Sequence, residues 1–322
     1  MMRYTRIIGT GSYLPQRIVT NDELAQSLDT SDAWIVERTG IRERRVAAEN
    51  EATSDLALFA AQKALESAGI TAKDLDLIIV ATTTPDQLLP ATACIMQAKL
   101  GIAGCPAFDI QAACAGFVYA LSIADQFIRC GQAKYALVIG AETLSRILDW
   151  KDRGTAILFG DGAGAAVLAA DNVPGVISTH LHADGRYVQD LQVPTGVGRH
   201  PGLELDKAFI SMHGQTIFKL AVKLMESMVD EILAKNNIDQ SAIAWLVPHQ
   251  ANIRIIESAA KKLGLDMAQV VVTVDRHANT SAASIPLALH EGVKSGKIQK
   301  NDLMLLEGVG AGLTWGAALV RW

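Results

Sequence analysis

Residues 60–80 (AAQKALESAGITAKDLDLIIV) align without a gap on residues 228–248 (MVDEILAKNNIDQSAIAWLVP), setting Ile70 on Ile238, Leu75 on Ile243 and Ile79 on Val247 at an offset of 168. AKLGI at 98–102 matches KKLGL at 261–265 at offset 163, and GAAVL at 164–168 matches GAALV at 316–320 at offset 152. Matches in one order with slowly falling offsets indicate a duplicated unit, which must bury the same faces twice. Within the unit, apolar strands near Leu77–Ala81, Ala107–Ile110 and 135–140 are separated by helical stretches, the α/β pattern. One segment per half lacks a polar face: residues 115–130 carry only Asp125 and Arg129 as charges, and residues 281–289 carry none. Helices apolar all round are buried, so these two are expected back to back between two sheets, in five layers of α, β, α, β, α. The expected halves are 1–172 and 173–322, each of ordinary domain size.

Half of the 322 residues are hydrophobic, enough for such a core. The balance of 29 Lys plus Arg against 34 Asp plus Glu, net −5, is not that of a nucleic-acid binder. Cys94, Cys105, Cys114 and Cys130 form no C-x-x-C pair, and the N-terminus lacks the apolar core and cleavage site of a secretory signal. No apolar run approaches ~18 residues, so no membrane insertion is expected. These features predict a reduced, cytoplasmic protein without a disulfide framework.

Strand Ala107–Ile110 leads through Gln111, Ala112 and Ala113 to Cys114, and Ala115, Gly116 and Phe117 open the first buried helix. That places the thiol at a helix N-terminus, where free N–H groups and the dipole favour a thiolate, among small neighbours that leave room for a substrate. The other three cysteines read as inert core. Offsets of 163 to 166 carry Cys114 to residues 277–280, making Asn279 its expected pseudo-symmetric counterpart. The 168 offset ends a strand at His249, beside the junction of the two units, where ligands gather in α/β folds. Taken singly, His249 reads as a structural histidine and Asn279 as a helix cap; their convergence on Cys114 favours function. A thiol with two hydrogen-bond donors aimed at a carbonyl oxygen suits acyl transfer.

Glycine-rich turns at 159–164 (FGDGAG) and 308–312 (GVGAG) could bring backbone N–H groups near such an oxygen, although such turns usually serve chain geometry, and neither has dinucleotide or P-loop spacing. His180 and His182 alternate as strand neighbours without a third ligand, so no metal site is expected. Residues 252–263 set Ile253, Ile256, Ala260 and Leu263 on one helical face and Arg254 and Lys261 on another, with Lys262 beside it. A solvated face explains those charges as readily as an acidic partner does.

The residues sit in motifs that resemble, end to end and in order, the β-ketoacyl-acyl carrier protein synthase III family of the thiolase-like superfamily: GTGSYLP (9–15), TSDAWIVERTGIRER (30–44), CPAFDIQAACAGF (105–117), DRGTAILFGDGAGAAVL (152–168), VPHQANIRI (247–255), NTSAASIP (279–286) and LTWGAALV (313–320). The resemblance implies a thiolase-like fold and decarboxylative condensation of a short acyl-CoA starter, acetyl-CoA or similar, with malonyl-acyl carrier protein, initiating fatty acid synthesis. It implies Cys114 as the nucleophile that takes the acyl group, and His249 and Asn279 as donors to the malonyl thioester carbonyl. The oxyanion hole for the acyl group would be the N–H of Cys114 and that of Ala311, which stands where the family has glycine and resists positive φ. Trp34 and Arg153 would sandwich the adenine of coenzyme A, with Arg38 near the nucleotide and Asn252 along the pantetheine. Arg254, with Lys219, Lys261 and Lys262, would dock the carrier protein. Leu89 stands where an aromatic residue often reaches into the partner subunit's acyl pocket, which predicts room for a longer or branched starter. The family implies a homodimer and no permanently bound cofactor, with acyl-CoA as substrate.

A degradative thiolase would carry a second Cys within 308–312, and an elongating synthase would pair its Cys with two histidines; this chain does neither. A condensing enzyme of a specialised pathway, a papain-like hydrolase built on Cys, His and Asn, and a non-catalytic carrier-protein binder are the alternatives. The duplicated fold opposes the second, and retention of all three polar groups opposes the third.

Overall fold

The computed structural model describes residues 3–196, 198 and 209–322. One sheet orders its strands Tyr4–Tyr13, Asp161–Asp171, Tyr135–Thr143, Leu77–Ala81 and Ala107–Ile110; a second orders Trp245–Pro248, Leu303–Gly310, Thr314–Arg321 and Val176–Ala183. Strand Leu77–Ala81 is buried on both faces, which explains its unbroken LIIVA. Ile78 and Val80 pack with Leu56, Ala60 and Ala64 of the outer helix Thr53–Ala68, while Leu77, Ile79 and Ala81 face Phe117, Leu121 and Ala282. Beyond the second sheet, Leu305, Ala317 and Leu319 pack with Met225 and Ile232 of helix Gly214–Asn236 and with Ile256 and Ala260 of helix Ile253–Leu263. Helices Gly116–Arg129 and Ser284–Lys294 share one core with both sheets. The five expected layers are therefore present. Among the described residues no helix is long and apolar enough to cross a membrane.

The duplication also holds where the sequences no longer match. Gly140 pairs with Gly164 in the first sheet, as Gly308 pairs with Gly316 in the second. Single 3-10 turns, Ala113–Ala115 and Ser281–Ala283, open at positive φ of 44° and 47° and lead into the two central helices. Gly140 and Gly308, Ala113 and Ser281, and Gly116 and Ser284 all stand 168 residues apart. The counterpart of Cys114 is therefore Ala282, and Asn279 stands opposite Gln111, which corrects the pairing expected from interpolated offsets. The offset does drop to 163 at Val270, whose single bridge to Leu246 replaces the pairing of Ala107 with Ile78. It returns to 168 because the short helix Val274–His277 is inserted just before Asn279.

The glycine-rich stretches are strands rather than turns, since residues 161–164 and 308–310 belong to Asp161–Asp171 and Leu303–Gly310. Their missing side chains allow backbone to approach backbone. A Cβ on Gly140 would lie 2.0 Å from the carbonyl oxygen of Ala282, and one on Gly308 would lie 3.1 Å from that of Cys114. Each sheet thus presses on the turn belonging to the other half, which sets Cys114 at the junction of the two units.

Candidate active site

Cys114, His249 and Asn279 line one channel together with Phe159, Val309, Gly310 and Leu313. All three are buried. Asn279 is held by its backbone: its N–H donates to the Leu158 carbonyl at 2.9 Å, and its own carbonyl accepts from the Gly160 N–H at 3.0 Å. Its Oδ1 accepts the Ser281 N–H at 2.8 Å. The amide nitrogen, with two N–H donors, has no protein acceptor among the described residues. Strain gathers here, with Ala113, Ala278 and Ser281 all at positive φ, a conformation that costs about 1–3 kcal/mol for each such residue.

His249 follows strand Trp245–Pro248, and its N–H donates to the Glu307 carbonyl at 2.8 Å. Its Nδ1 lies 2.5 Å from the Ser284 Oγ. Burial pulls the imidazole down to about 3, so the ring is neutral at physiological pH. The neighbouring Gln250, fully buried, donates to the carbonyls of Pro248 and Val271 and accepts from the N–H groups of Thr273 and Val274. All four hydrogen-bonding capacities of its amide are filled, and the loop carrying His249 is fixed against the segment leading to Asn279.

Burial pushes the Cys114 thiol up to about 12; the Ser281 hydroxyl beside it acts in the opposite direction, and the Glu142 carboxyl adds to the rise. The resting sulfur is a thiol and not the thiolate expected of a helix N-terminus. Cys114 sits inside the 3-10 turn ahead of the helix, at 6% exposure, where loss of hydration outweighs the dipole. Glu142, also fully buried, accepts from the Thr83 N–H at 3.1 Å and from the hydroxyls of Thr83 and Thr84 at 2.9 and 2.7 Å.

Among the described residues no backbone carbonyl accepts the N–H of Cys114 or that of Ala311. Positive φ in the last turn falls on Gly312, at 134°, and not on Ala311, so alanine is accommodated there without strain. Ala311 itself lies one residue beyond the channel lining at Gly310, where a Cβ would come 2.5 Å from the Cys114 nitrogen.

A second cavity opens at the surface and is lined by Trp34, Arg38, Arg153, Lys219, Asn252 and Arg254. It shares Leu158, Met212, Gly214, Phe218 and Asn252 with the inner channel, so the two cavities adjoin. The Arg153 guanidinium rests 4.9 Å from the centre of the Trp34 ring. Asn252 caps helix Ile253–Leu263, accepting from the Arg254 N–H at 3.0 Å, and donates to the Arg38 carbonyl at 2.9 Å. Lys261 and Lys262 lie outside this mouth, and Lys262 pairs with Asp230 at 2.7 Å. Leu89 is 84% exposed and lines neither cavity of its own chain. His180 and His182 both hydrogen-bond Glu231, at 3.2 and 2.8 Å, and no metal-type cluster is found among the described residues.

Sequence reasoning missed Glu307. Its side chain is fully buried, neither oxygen has a partner among the described residues, and burial pushes it up to about 8 from an ordinary 4.5. The folded chain therefore holds a proton that the unfolded chain releases above pH 4.5. Stability tied to this group is complete below 4.5 and is lost as pH rises through 8. At pH 8 the cost is on the order of 4 kcal/mol. Replacement by apolar Glu307→Met is expected to raise denaturant stability far more at pH 8 than at pH 4.5; equal changes at both values would contradict this account.

A duplicated α/β fold whose halves meet at a buried thiol in a channel defines the thiolase-fold acyltransferases. Two family profiles match, 3-oxoacyl-[acyl-carrier-protein] synthase III over residues 108–185 and its C-terminal domain over residues 233–322. The chain is 59% identical to the β-ketoacyl-[acyl-carrier-protein] synthase III of Xanthomonas campestris, over 99% of this chain and 98% of that one. Its structure superposes on that of the Aquifex aeolicus 3-oxoacyl-[acyl-carrier-protein] synthase III with a TM-score of 0.93 at 47% identity, covering 99% and 100% of the two chains. The priming β-ketosynthase of the R1128 polyketide pathway gives 0.94 at 35% identity, with 99% and 97% covered. The chain belongs to the β-ketoacyl-acyl carrier protein synthase III family.

Proposed function

We propose that the protein condenses a short acyl-CoA starter with malonyl-acyl carrier protein, releasing carbon dioxide and coenzyme A and forming the β-ketoacyl-acyl carrier protein that begins fatty acid synthesis. The supporting observation is that the Trp34-bearing, cationic mouth adjoins, through shared lining residues, a channel ending at Cys114, His249 and Asn279. In the first half-reaction the Cys114 sulfur attacks the acyl-CoA carbonyl. The carbon–sulfur bond to coenzyme A breaks, and the thiol proton leaves on the coenzyme A sulfur. The N–H groups of Cys114 and Ala311 face the oxyanion. In the second, His249 and Asn279 donate to the malonyl thioester oxygen as carbon dioxide departs, and the resulting carbanion attacks the acyl-Cys carbonyl and expels the Cys114 sulfur, which takes up a proton from water to return to the thiol. Side chains and the thioesters carry this chemistry without a resident cofactor.

Trp34, Arg38, Arg153 and Asn252 hold coenzyme A in this reading, and Arg254 and Lys219 at the mouth, with Lys261 and Lys262 farther along the helix, receive the acidic carrier protein. The reading includes two halves, 1–172 and 173–322, action in the cytoplasm, and a homodimer in which exposed Leu89 enters the partner's acyl pocket. Carbon dioxide release from malonyl-acyl carrier protein, with β-ketoacyl product formed only when acyl-CoA is present, tests the function; absence of both would leave a hydrolase or a binder. Arg254→Glu is expected to raise the KM for malonyl-acyl carrier protein by roughly 10-fold or more, through a repelling charge at the dock. Acylation of Cys114 by acyl-CoA should change less, and an equal loss in both half-reactions would remove Arg254 from the carrier-protein surface.

A further inference from the structure

We propose that the Ser284 hydroxyl is a positioning group that holds His249 in its Nε2–H tautomer, so that the ring meets the substrate as a hydrogen-bond donor. The inference rests on the reading of His249 as a donor to the malonyl thioester and extends it to the residue that makes it one. Ser284 is the first residue of the central helix Ser284–Lys294, and its Oγ lies 2.5 Å from the His249 Nδ1. Its other contact is the Gln250 N–H, which donates into the same oxygen at 3.4 Å. That oxygen is thus already an acceptor, and among the described residues the hydroxyl proton has no acceptor except Nδ1.

In the opposite tautomer Nδ1–H would point at the Ser284 oxygen, and the hydroxyl proton would be left buried without a partner, an arrangement buried donors avoid. Ser284 is 1% exposed, so bulk water is not at hand to take it. The imidazole is neutral and has one ring proton to place, and Nδ1 is engaged as acceptor, so that proton sits on Nε2. The side chain of His249 lines the channel, as that of Asn279 does, with its own two N–H groups. Two donors then converge where the enolate oxygen forms. An Nε2 already carrying a proton is not a base for Cys114, so the thiol proton leaves with the departing coenzyme A sulfur.

The test is nitrogen-15 spectroscopy of the histidine rings in the full-length protein at pH 7, with the His249 signals assigned by their loss in His249→Gln. Wild type is expected to show protonated Nε2 and bare, hydrogen-bonded Nδ1. Ser284→Ala should shift the ring to a mixture of tautomers, and Ser284→Thr, which keeps the hydroxyl, should restore the single form. In Ser284→Ala, carbon dioxide release from malonyl-acyl carrier protein should fall roughly tenfold, the factor that one hydrogen bond supplies, and acylation of Cys114 should fall less. A wild-type ring protonated on Nδ1, or a tautomer unchanged in Ser284→Ala, overturns the proposal. The ring signals decide this without turnover, so an enzyme that releases no carbon dioxide would refute the functional reading separately.

Discussion

In Cys114→Ala protein exposed to acyl-CoA, the gain of one acyl mass is abolished and condensation falls by at least about 10⁴-fold, the scale on which nucleophile removal acts in covalent catalysis. Cys114 is the only thiol lining the channel, and Cys94, Cys105 and Cys130 lie outside it. None of them can substitute. The replacement removes one sulfur from a turn already built of alanines, so the fold is retained and the loss is chemical. Decarboxylation of malonyl-acyl carrier protein should persist, because its donors are untouched, and this separates a missing nucleophile from a collapsed site. Intact mass spectrometry reads the first quantity and carbon dioxide release the second. An acyl adduct retained in the variant would dismiss Cys114 as the acceptor.

The second large effect belongs to the donor pair. His249→Ala and Asn279→Ala are each expected to slow malonyl decarboxylation by roughly 10²- to 10³-fold, the usual cost of one oxyanion donor. Together they should cost less than the product, because both act on one oxygen. Asn279→Ala also deprives the Ser281 N–H of its acceptor beside a residue at φ 47°, so part of its effect is positional. Asn279→Asp separates the two causes. It keeps the acceptor for Ser281 and replaces the donor with an anionic oxygen facing the enolate, and it should be at least as slow as Asn279→Ala. If Asn279→Asp decarboxylates at the wild-type rate, Asn279 matters through Ser281 and not through its N–H groups.

Much of this site is legible before any coordinates, and one part is legible for the wrong reason. Cys114 stands out because a strand end followed by small residues and an apolar helix is a local pattern. Asn279 emerges from an interpolated offset, yet it is near Cys114 because its backbone bridges Phe159, and the symmetric position is held by Ala282. Glu142, Gln250, Ser284 and Glu307 give no signal of their own. The Thr83 and Thr84 partners of Glu142 are 59 and 58 residues away, and the partner of Ser284 is 35 away. The thiolate expected at Cys114 fails for a related reason: helix position is readable from sequence, whereas the burial that opposes it comes from the second sheet.

By itself, the sequence determined the duplication, the five layers, the two apolar central helices and the kinds of group available for chemistry. These follow from periodicity, apolar runs and motif spacing, which depend on neighbours along the chain. Only the tertiary structure decided which residue faces which across the two halves, where positive φ falls in the last turn, and the protonation of Cys114, His249 and Glu307. Those depend on water excluded by the packing of one half against the other, and no stretch of either half carries that information alone.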